Sequence, residues 1–267
     1  MELGLKGKVA VVTGSSRGIG KAVALALASE GCEVALTARD KKELGQAAEE
    51  FKKLGVKPLT VPVDLTKPAG AKRLIRETAK RFGRIDILVN NVGGPLHFLP
   101  FSQLTDHDWR EELEVDLMAP IRACREVLPW MRRQGGGRII NIASISAVEM
   151  EEKFPDYRVA KAALIALSKY LSIELASSNI LVNAVLPGSV WTPSWEREAE
   201  AMAKREGTSV RKMAQRLRTI TEADIPLGRM GRPEEIAQVV TFLASPNLAW
   251  MTGALVRIDG GAAKLIL

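Results

Sequence analysis

The chain has 267 residues and a formal net charge of +7, with Lys and Arg scattered among nearly as many Asp and Glu. That length suits a single α/β domain burying roughly 70–75% of its unfolded surface, which needs no disulfide or metal staple. No block of like charge marks a nucleic-acid face, two tyrosines leave little for base stacking, and no run of 18 apolar residues could span a membrane.

Val9–Val12 opens the chain's regular structure as a continuous apolar run, the pattern of a strand buried on both faces of a parallel sheet. Thr13–Gly20 follows as a turn with glycines at 14, 18 and 20, and Ala22–Leu27 begins a helix closed by Gly31. Glu33–Arg39 reads as the second strand, Lys41–Leu54 as an amphipathic helix, Leu59–Asp64 as the third strand and Pro68–Phe82 as a helix with proline in its first turn. Ile85–Asn91 is the fourth strand. A Gly- and Pro-rich loop over 92–105 leads into one long helix from about Asp106 to Arg133, broken at Gly135–Gly137. Arg138–Ser144 is the fifth strand, Pro155–Ser178 a helix, Ile180–Leu186 the sixth strand, Pro233–Ala244 a helix and Ala254–Ile258 the last strand. This alternation predicts one α/β domain over 1–267, a doubly wound parallel sheet of about seven strands with helices on both faces. The excursion over 188–226 carries one apolar stripe, Val210, Met213, Ala214, Leu217 and Ile220, with Ser209 as its cap. It reads as a helical substrate lid with Trp191 and Trp195 at its base, or as a helix packed permanently on the body or a second subunit.

The unit Val9–Ala28 has the makings of a phosphate cradle. Glycine lets the backbone approach a pyrophosphate, and the helix N-terminus offers unpaired N–H groups and a positive dipole end. Ligands of such a sheet sit beyond the carboxyl ends of its strands, where Asp64, Asn90, Asn91 and Gly93 fall. Tyr157 and Lys161 lie four apart and share a helix face. A neighbouring ammonium favours a phenolate and pulls down the ordinary tyrosine pKa of ~10, making Tyr157 a usable acid or base. Ser144, at the end of the fifth strand, can donate to a substrate oxygen.

With T-G-x-x-x-G-x-G at 13–20, VDLT at 63–66, NNVG at 90–93 and Ser144…Tyr157-x-x-x-Lys161, the chain resembles the short-chain dehydrogenase/reductases, of the type that includes 3-oxoacyl-carrier-protein reductases. The resemblance runs from about Lys8 to Gly261. It implies a Rossmann-type fold, a catalytic set of Ser144, Tyr157 and Lys161, and binding positions for a nicotinamide dinucleotide. Those positions are Gly14, Ser16, Arg17, Gly18, Ile19 and Gly20 in the turn, Arg39, Asp64 and Leu65 toward the adenine, Asn91 and Gly93 on the fourth-strand turn, Tyr157 and Lys161, and Pro187, Gly188, Val190 and Thr192 by the carboxamide. Substrate contacts are assigned to Ser144, Glu149, Met150, Tyr157, Trp191 and Trp195. Aligned with the family, Ala38 takes the place of the usual acidic residue and Arg39 follows it. An arginine there pairs with a 2′-phosphate, so with Arg17 it points to NADP; the rival is Asp40, at the spacing of an NAD-selecting carboxylate.

One position departs from the family. Asp116 stands where an asparagine is usual, and Pro120, lacking an N–H, frees the carbonyl of residue 116. Asp116 joins the catalytic set on the expectation that this carbonyl, leading through a water to Lys161, matters more than the side chain. The implied function is NADP(H)-dependent interconversion of a ketone and a secondary alcohol, resembling 3-oxoacyl-carrier-protein reductase. A sugar, polyol or small-ketone dehydrogenase is the alternative, since Gly135 and Ser178 stand where carrier-docking arginines align, with Arg132 and Arg133 nearby. A non-catalytic dinucleotide-binding regulator is a third reading, opposed by the intact Ser144, Tyr157 and Lys161. His97 and His107 read as polar surface residues with no metal site. Cys32 and Cys124 read as small core residues of a cytoplasmic protein, and the family implies a homotetramer joined through the 106–133 and 155–178 helices.

Overall fold

The structure is a computed structural model that describes residues 2–150 and 152–266. Val9–Thr13 (β1), Glu33–Ala38 (β2), Leu59–Pro62 (β3), Ile87–Asn90 (β4), Gly137–Ile142 (β5), Ile180–Pro187 (β6) and Leu255–Ile258 (β7) form one sheet. Its order is β3-β2-β1-β4-β5-β6-β7, and every pairing is parallel. The α-helices are α1 (Gly18–Ser29), α2 (Lys41–Lys52), α3 (Pro68–Phe82), α4 (Asp106–Leu113), α5 (Ala119–Arg133), α6 (Pro155–Glu174), α7 (Pro193–Glu206), α8 (Val210–Ala223) and α9 (Pro233–Ala244).

Strand β1 shows why two helical layers are needed. All five of its residues are buried, and because successive side chains alternate in direction, Ala10 and Val12 enter one core while Val11 enters the other. The first core is closed by α1, α2 and α9, the second by α3, α5 and α6. Cys32 and Cys124 are buried in these cores with free thiols, which burial pushes up to about 12, so both are inert packing groups. Among the described residues no helix is long and apolar enough to cross a membrane.

Three segments differ from the sequence expectation. The 106–133 helix is interrupted by a π-helical turn over Glu114–Met118, where Ala119 N–H donates to the Glu114 carbonyl; Pro120 has no N–H with which to continue the α ladder. The 155–178 helix ends at Glu174, and a 3₁₀ turn follows over Ala176–Ser178. The excursion after β6 holds two helices rather than one. The stripe on α8 and its Ser209 cap are present, but α7 precedes it, and Ala199 and Ala203 pack on Met213 and Leu217 in a small core of their own. In a run dense with Glu, Lys and Arg, its few apolar side chains make no visible stripe, which is why α7 escapes detection.

Candidate active site

The sheet order reverses between β1 and β4, and at the carboxyl ends of the strands opens a cavity of about 1760 Å³. A single small-molecule site takes roughly 300–1,000 Å³, so this one has room for a dinucleotide and a second molecule. Gly14, Ser16, Arg17, Gly18, Ile19, Arg39, Asp64, Leu65, Asn91, Gly93, Pro187, Gly188, Val190 and Thr192 all line it. Gly14 and Gly18 adopt φ of +63° and +57°, a region open to glycine. Arg17, the N-cap of α1, supplies no side-chain cap, so the first-turn N–H groups are left for an anion. This open cradle fits a pyrophosphate. Asn91 braces it, donating to the carbonyls of Thr13 (2.9 Å) and Gly14 (3.1 Å).

At the β2 end, Asp40 is occupied as the N-cap of α2, accepting from Lys42 N (2.7 Å) and Glu43 N (2.9 Å). The Glu43 and Lys42 hydrogen bonds hold its carboxyl below the ordinary range. Arg39 lines the cavity beside it.

The other end is built by β5, α6 and the π turn. Ser144 caps the turn after β5, accepting from Ser146 N (3.1 Å), and stands beside Tyr157 in the cavity wall. Lys161, one turn along α6, is 3% exposed; it donates to Ile142 O (2.9 Å) and pairs with Asp116 Oδ1 at 2.7 Å. An ammonium has three N–H bonds, so one remains for a bound ligand. Burial opposes the charge on Lys161, but Asp116 and then Tyr157 outweigh it and raise its pKa. Burial also raises Tyr157; Lys161 and Ser144 oppose that shift without cancelling it. The tyrosine is therefore a neutral O–H at neutral pH, contrary to the lowering expected from the ammonium alone. Behind Asp116 lies Glu112, wholly buried, whose pKa burial and the Asp116 contact raise to about 10. Gly93 fits against the pair: a Cβ there would collide with Asp116 Oδ1.

A family model described as enoyl-(acyl carrier protein) reductase, of the short-chain dehydrogenase/reductase class, matches residues 14–263. The chain belongs to the short-chain dehydrogenase/reductase family. It is an oxidoreductase acting on CH–OH and C=O groups. Among similar proteins, the 3-oxoacyl-[acyl-carrier-protein] reductase of Thermotoga maritima is 34% identical over 96% of this chain and 98% of its own. L-fucose dehydrogenase of Oryctolagus cuniculus is 35% identical over 96% of this chain and 85% of its own. The crystal structure of L-sorbose reductase from Gluconobacter frateurii, complexed with NADPH and L-sorbose, superposes with a TM-score of 0.93 at 38% identity, covering 100% of both chains.

Within this short-chain dehydrogenase/reductase several expected positions are corrected. The Asp116 carboxylate itself meets Lys161, at 2.7 Å, a direct contact the sequence reading did not expect. Gly20 does not line the cavity: it packs beneath the turn, where a Cβ would strike Asn91 and Gly14. Met150 is 65% exposed and lies outside the cavity, because the chain turns outward after Glu149, which does line it. Trp191 also lies off the cavity wall; it stacks on Trp195 (6.1 Å) under Arg218 and braces Trp195, which faces the cavity. His107 is a surface residue, but His97 is not: its side chain is 14% exposed and 2.8 Å from Asp156. Glu112 and Arg197 escape sequence reasoning altogether. Their only signal is the four-residue spacing of Glu112 and Asp116, lost in the charged run WREELEVD.

Proposed function

We propose that this protein reduces a small hydroxylated ketone to a secondary alcohol with NADPH. The observation that carries the cofactor assignment is the division of labour at the end of β2. Asp40 is spent on capping α2, and Arg39 makes no ion pair or hydrogen bond among the described residues. A 2′-phosphate would give that guanidinium a partner, with Arg17 on the adjoining turn. Arg197 on α7 adds a third positive charge that acts on both. The NADPH in the L-sorbose reductase structure agrees with this reading.

Bound there, the dinucleotide supplies the hydride, while the protein supplies orientation and the proton. Ser144 O–H donates to the ketone oxygen. Tyr157, held as a neutral O–H by burial, gives its proton to that oxygen, and Lys161⁺, kept charged by Asp116, stabilises the phenolate left behind. A neutral tyrosine is the form that reduction requires.

For the substrate, the cavity wall carries Glu149, Lys153, Arg197 and Glu198, which are partners for hydroxyl groups. The arginines near the missing carrier-docking positions are engaged elsewhere: Arg132 lies 3.9 Å from Glu174, and Arg133 covers the Trp130 ring. The chain is one domain, and an exposed apolar row on α6, Val159, Tyr170 and Ile173, supports assembly into a homotetramer. Two free buried thiols agree with a reducing cytoplasm. The test is a set of initial rates with NADPH and NADH on L-sorbose, other ketoses, small diketones and an acetoacetyl thioester. Highest kcat/KM for a hydroxylated ketone with NADPH is expected. Preference for the thioester would favour the carrier-linked reading, and preference for NADH would refute the Arg39 assignment.

A further inference from the structure

We propose that Glu112 and His97 form, with Asp116, a side-chain proton path from Lys161 to the surface, and that His97 is the group that exchanges protons with water. This rests on the Tyr157–Lys161 proton chemistry given above.

The groups lie in sequence. Lys161 Nζ is 2.7 Å from Asp116 Oδ1, and Glu112 stands four residues before Asp116, one helical turn away, where the two carboxyl groups act on each other. Glu112 Oε2 takes the Leu96 N–H at 2.9 Å and lies 3.9 Å from His97 Nδ1. The two nitrogens of His97 face opposite environments. Nδ1 faces wholly buried carboxyl groups, Asp156 Oδ2 at 2.8 Å and Glu112. Nε2 faces Asp108 Oδ1 at 3.4 Å and Glu111 Oε2 at 3.6 Å, side chains that are 20% and 53% exposed. An imidazole can give a proton from one nitrogen and take one at the other, so its placement across this boundary suits transfer.

Charge balance favours the same assignment. The charged groups around the path are Asp108, Glu111 and Glu112 from α4, Asp116 from the π turn, Asp156 and Lys161 from α6, and Arg197 from α7, which acts on Glu112 and Asp116. Lys161–Asp116 is one compensated pair, and Asp156 Oδ2 has His97 Nδ1 at 2.8 Å as its partner. Glu112 between them is tolerable only as a neutral carboxyl. Among the described residues its Oε1 has no hydrogen-bond donor; as an O–H it can instead donate to Asp116.

In reduction the Tyr157 O–H bond breaks as the product O–H forms. The phenolate regains a proton from Lys161, Lys161 from the Glu112–Asp116 carboxyl pair, and Glu112 from His97 Nδ1–H once the unprotonated Nε2 has taken one from water; a half-turn of the ring then brings its remaining N–H back to the buried side. One solvent proton enters per ketone reduced, and no electrons travel the path. The 3.9 Å gap must close by about 1 Å to hydrogen-bond length, a side-chain movement.

The test compares His97→Ala and His97→Gln, assayed with NADPH and the ketone the wild type reduces fastest. His97→Ala should lower kcat on the order of tenfold to a hundredfold with KM for NADPH unchanged, flatten the pH profile, and regain rate as free imidazole is added. His97→Gln, which still reaches Asp156, should stay slow. An unchanged kcat, recovery in the glutamine variant, or a loss that imidazole does not rescue would overturn the path. Should the alanine variant not fold, Glu112→Gln decides: kcat should fall at constant KM, and an unaltered kcat and pH profile overturns the proposal. Without turnover, His107→Gln leaves His97 as the sole imidazole. Its ring nitrogens, followed by NMR in the cofactor-free protein, should change protonation state across the pH range of catalysis. A ring that keeps one state throughout rules out the path whatever the substrate. Absence of any ketone reductase activity would refute the proposed function instead.

Discussion

Around the glycine turn the cavity wall is largely backbone: open N–H groups at the start of α1, two left-handed glycines, and carbonyls held by Asn91. Behind Lys161 it is side chain: Asp116, Glu112, His97 and Asp156, brought together from the loop after β4, α4, the π turn and α6. The first region needs only a local conformation, and it binds by fixed dipoles that no pH change removes. The second depends on ionised groups excluded from water, so it holds together only while each charge keeps its partner. One end is built to hold, the other to move a proton.

The largest effect expected is at the proton donor. Tyr157→Phe should cut kcat by roughly 10²–10⁴ while dinucleotide affinity, measured by fluorescence titration, stays near wild type. A variant that still turns over well would show that another group protonates the substrate.

Breaking the charged cluster comes next. Asp116→Ala leaves the Lys161 ammonium buried without its partner, at a cost of about 3–5 kcal/mol of stability by denaturant titration. Asp116→Asn should lose more than about tenfold in kcat and displace the pH optimum. Retention of rate and optimum in the asparagine variant would return the role to the backbone carbonyl.

At the cradle, Arg39→Ala should weaken the NADPH preference in kcat/KM by about 1.5–3 kcal/mol, roughly 10- to 150-fold, and leave NADH kinetics alone. Loss of activity with both cofactors alike would mean that Arg39 supports the fold rather than the phosphate.

A stability measurement sharpens the contrast through pH. Glu112 keeps a proton in the folded protein up to about 10, whereas the unfolded chain releases it near the ordinary glutamate value. Across that window the folded state binds more protons, so rising pH erodes stability. Glu112→Gln has no proton to lose, and its Tm relative to wild type should climb from pH 5 to pH 9. A constant difference across that range would show that Glu112 is ionised in the fold.

Sequence and structure agree most closely where the signal is local. Pro68–Phe82 and Pro233–Ala244 are helices with the expected bounds, because a proline in the first turn and the apolar spacing both act within a few residues. Strand ends were less legible: β2 stops at Ala38 and β3 at Pro62, since a strand ends where its neighbour ceases to pair. Trp191 and Met150 look alike in sequence as large apolar groups near the pocket, yet neither lines it, and only the path of the chain decides that.

What the sequence by itself determined is the doubly wound sheet, the glycine cradle and the Tyr157–Lys161 pair, all features whose spacing is set by strand and helix geometry. What only the tertiary structure decided is which ionised groups meet. Proline at 120 signals a disturbed helix, but that the resulting π turn presents the Asp116 carboxylate to Lys161 depends on how α5 and α6 pack. His97, on a loop, gains its inner and outer faces only when α4 and α6 close around it. The physical reason is that hydrogen-bonded periodicity acts along the chain, whereas the burial and pairing of charge act across it.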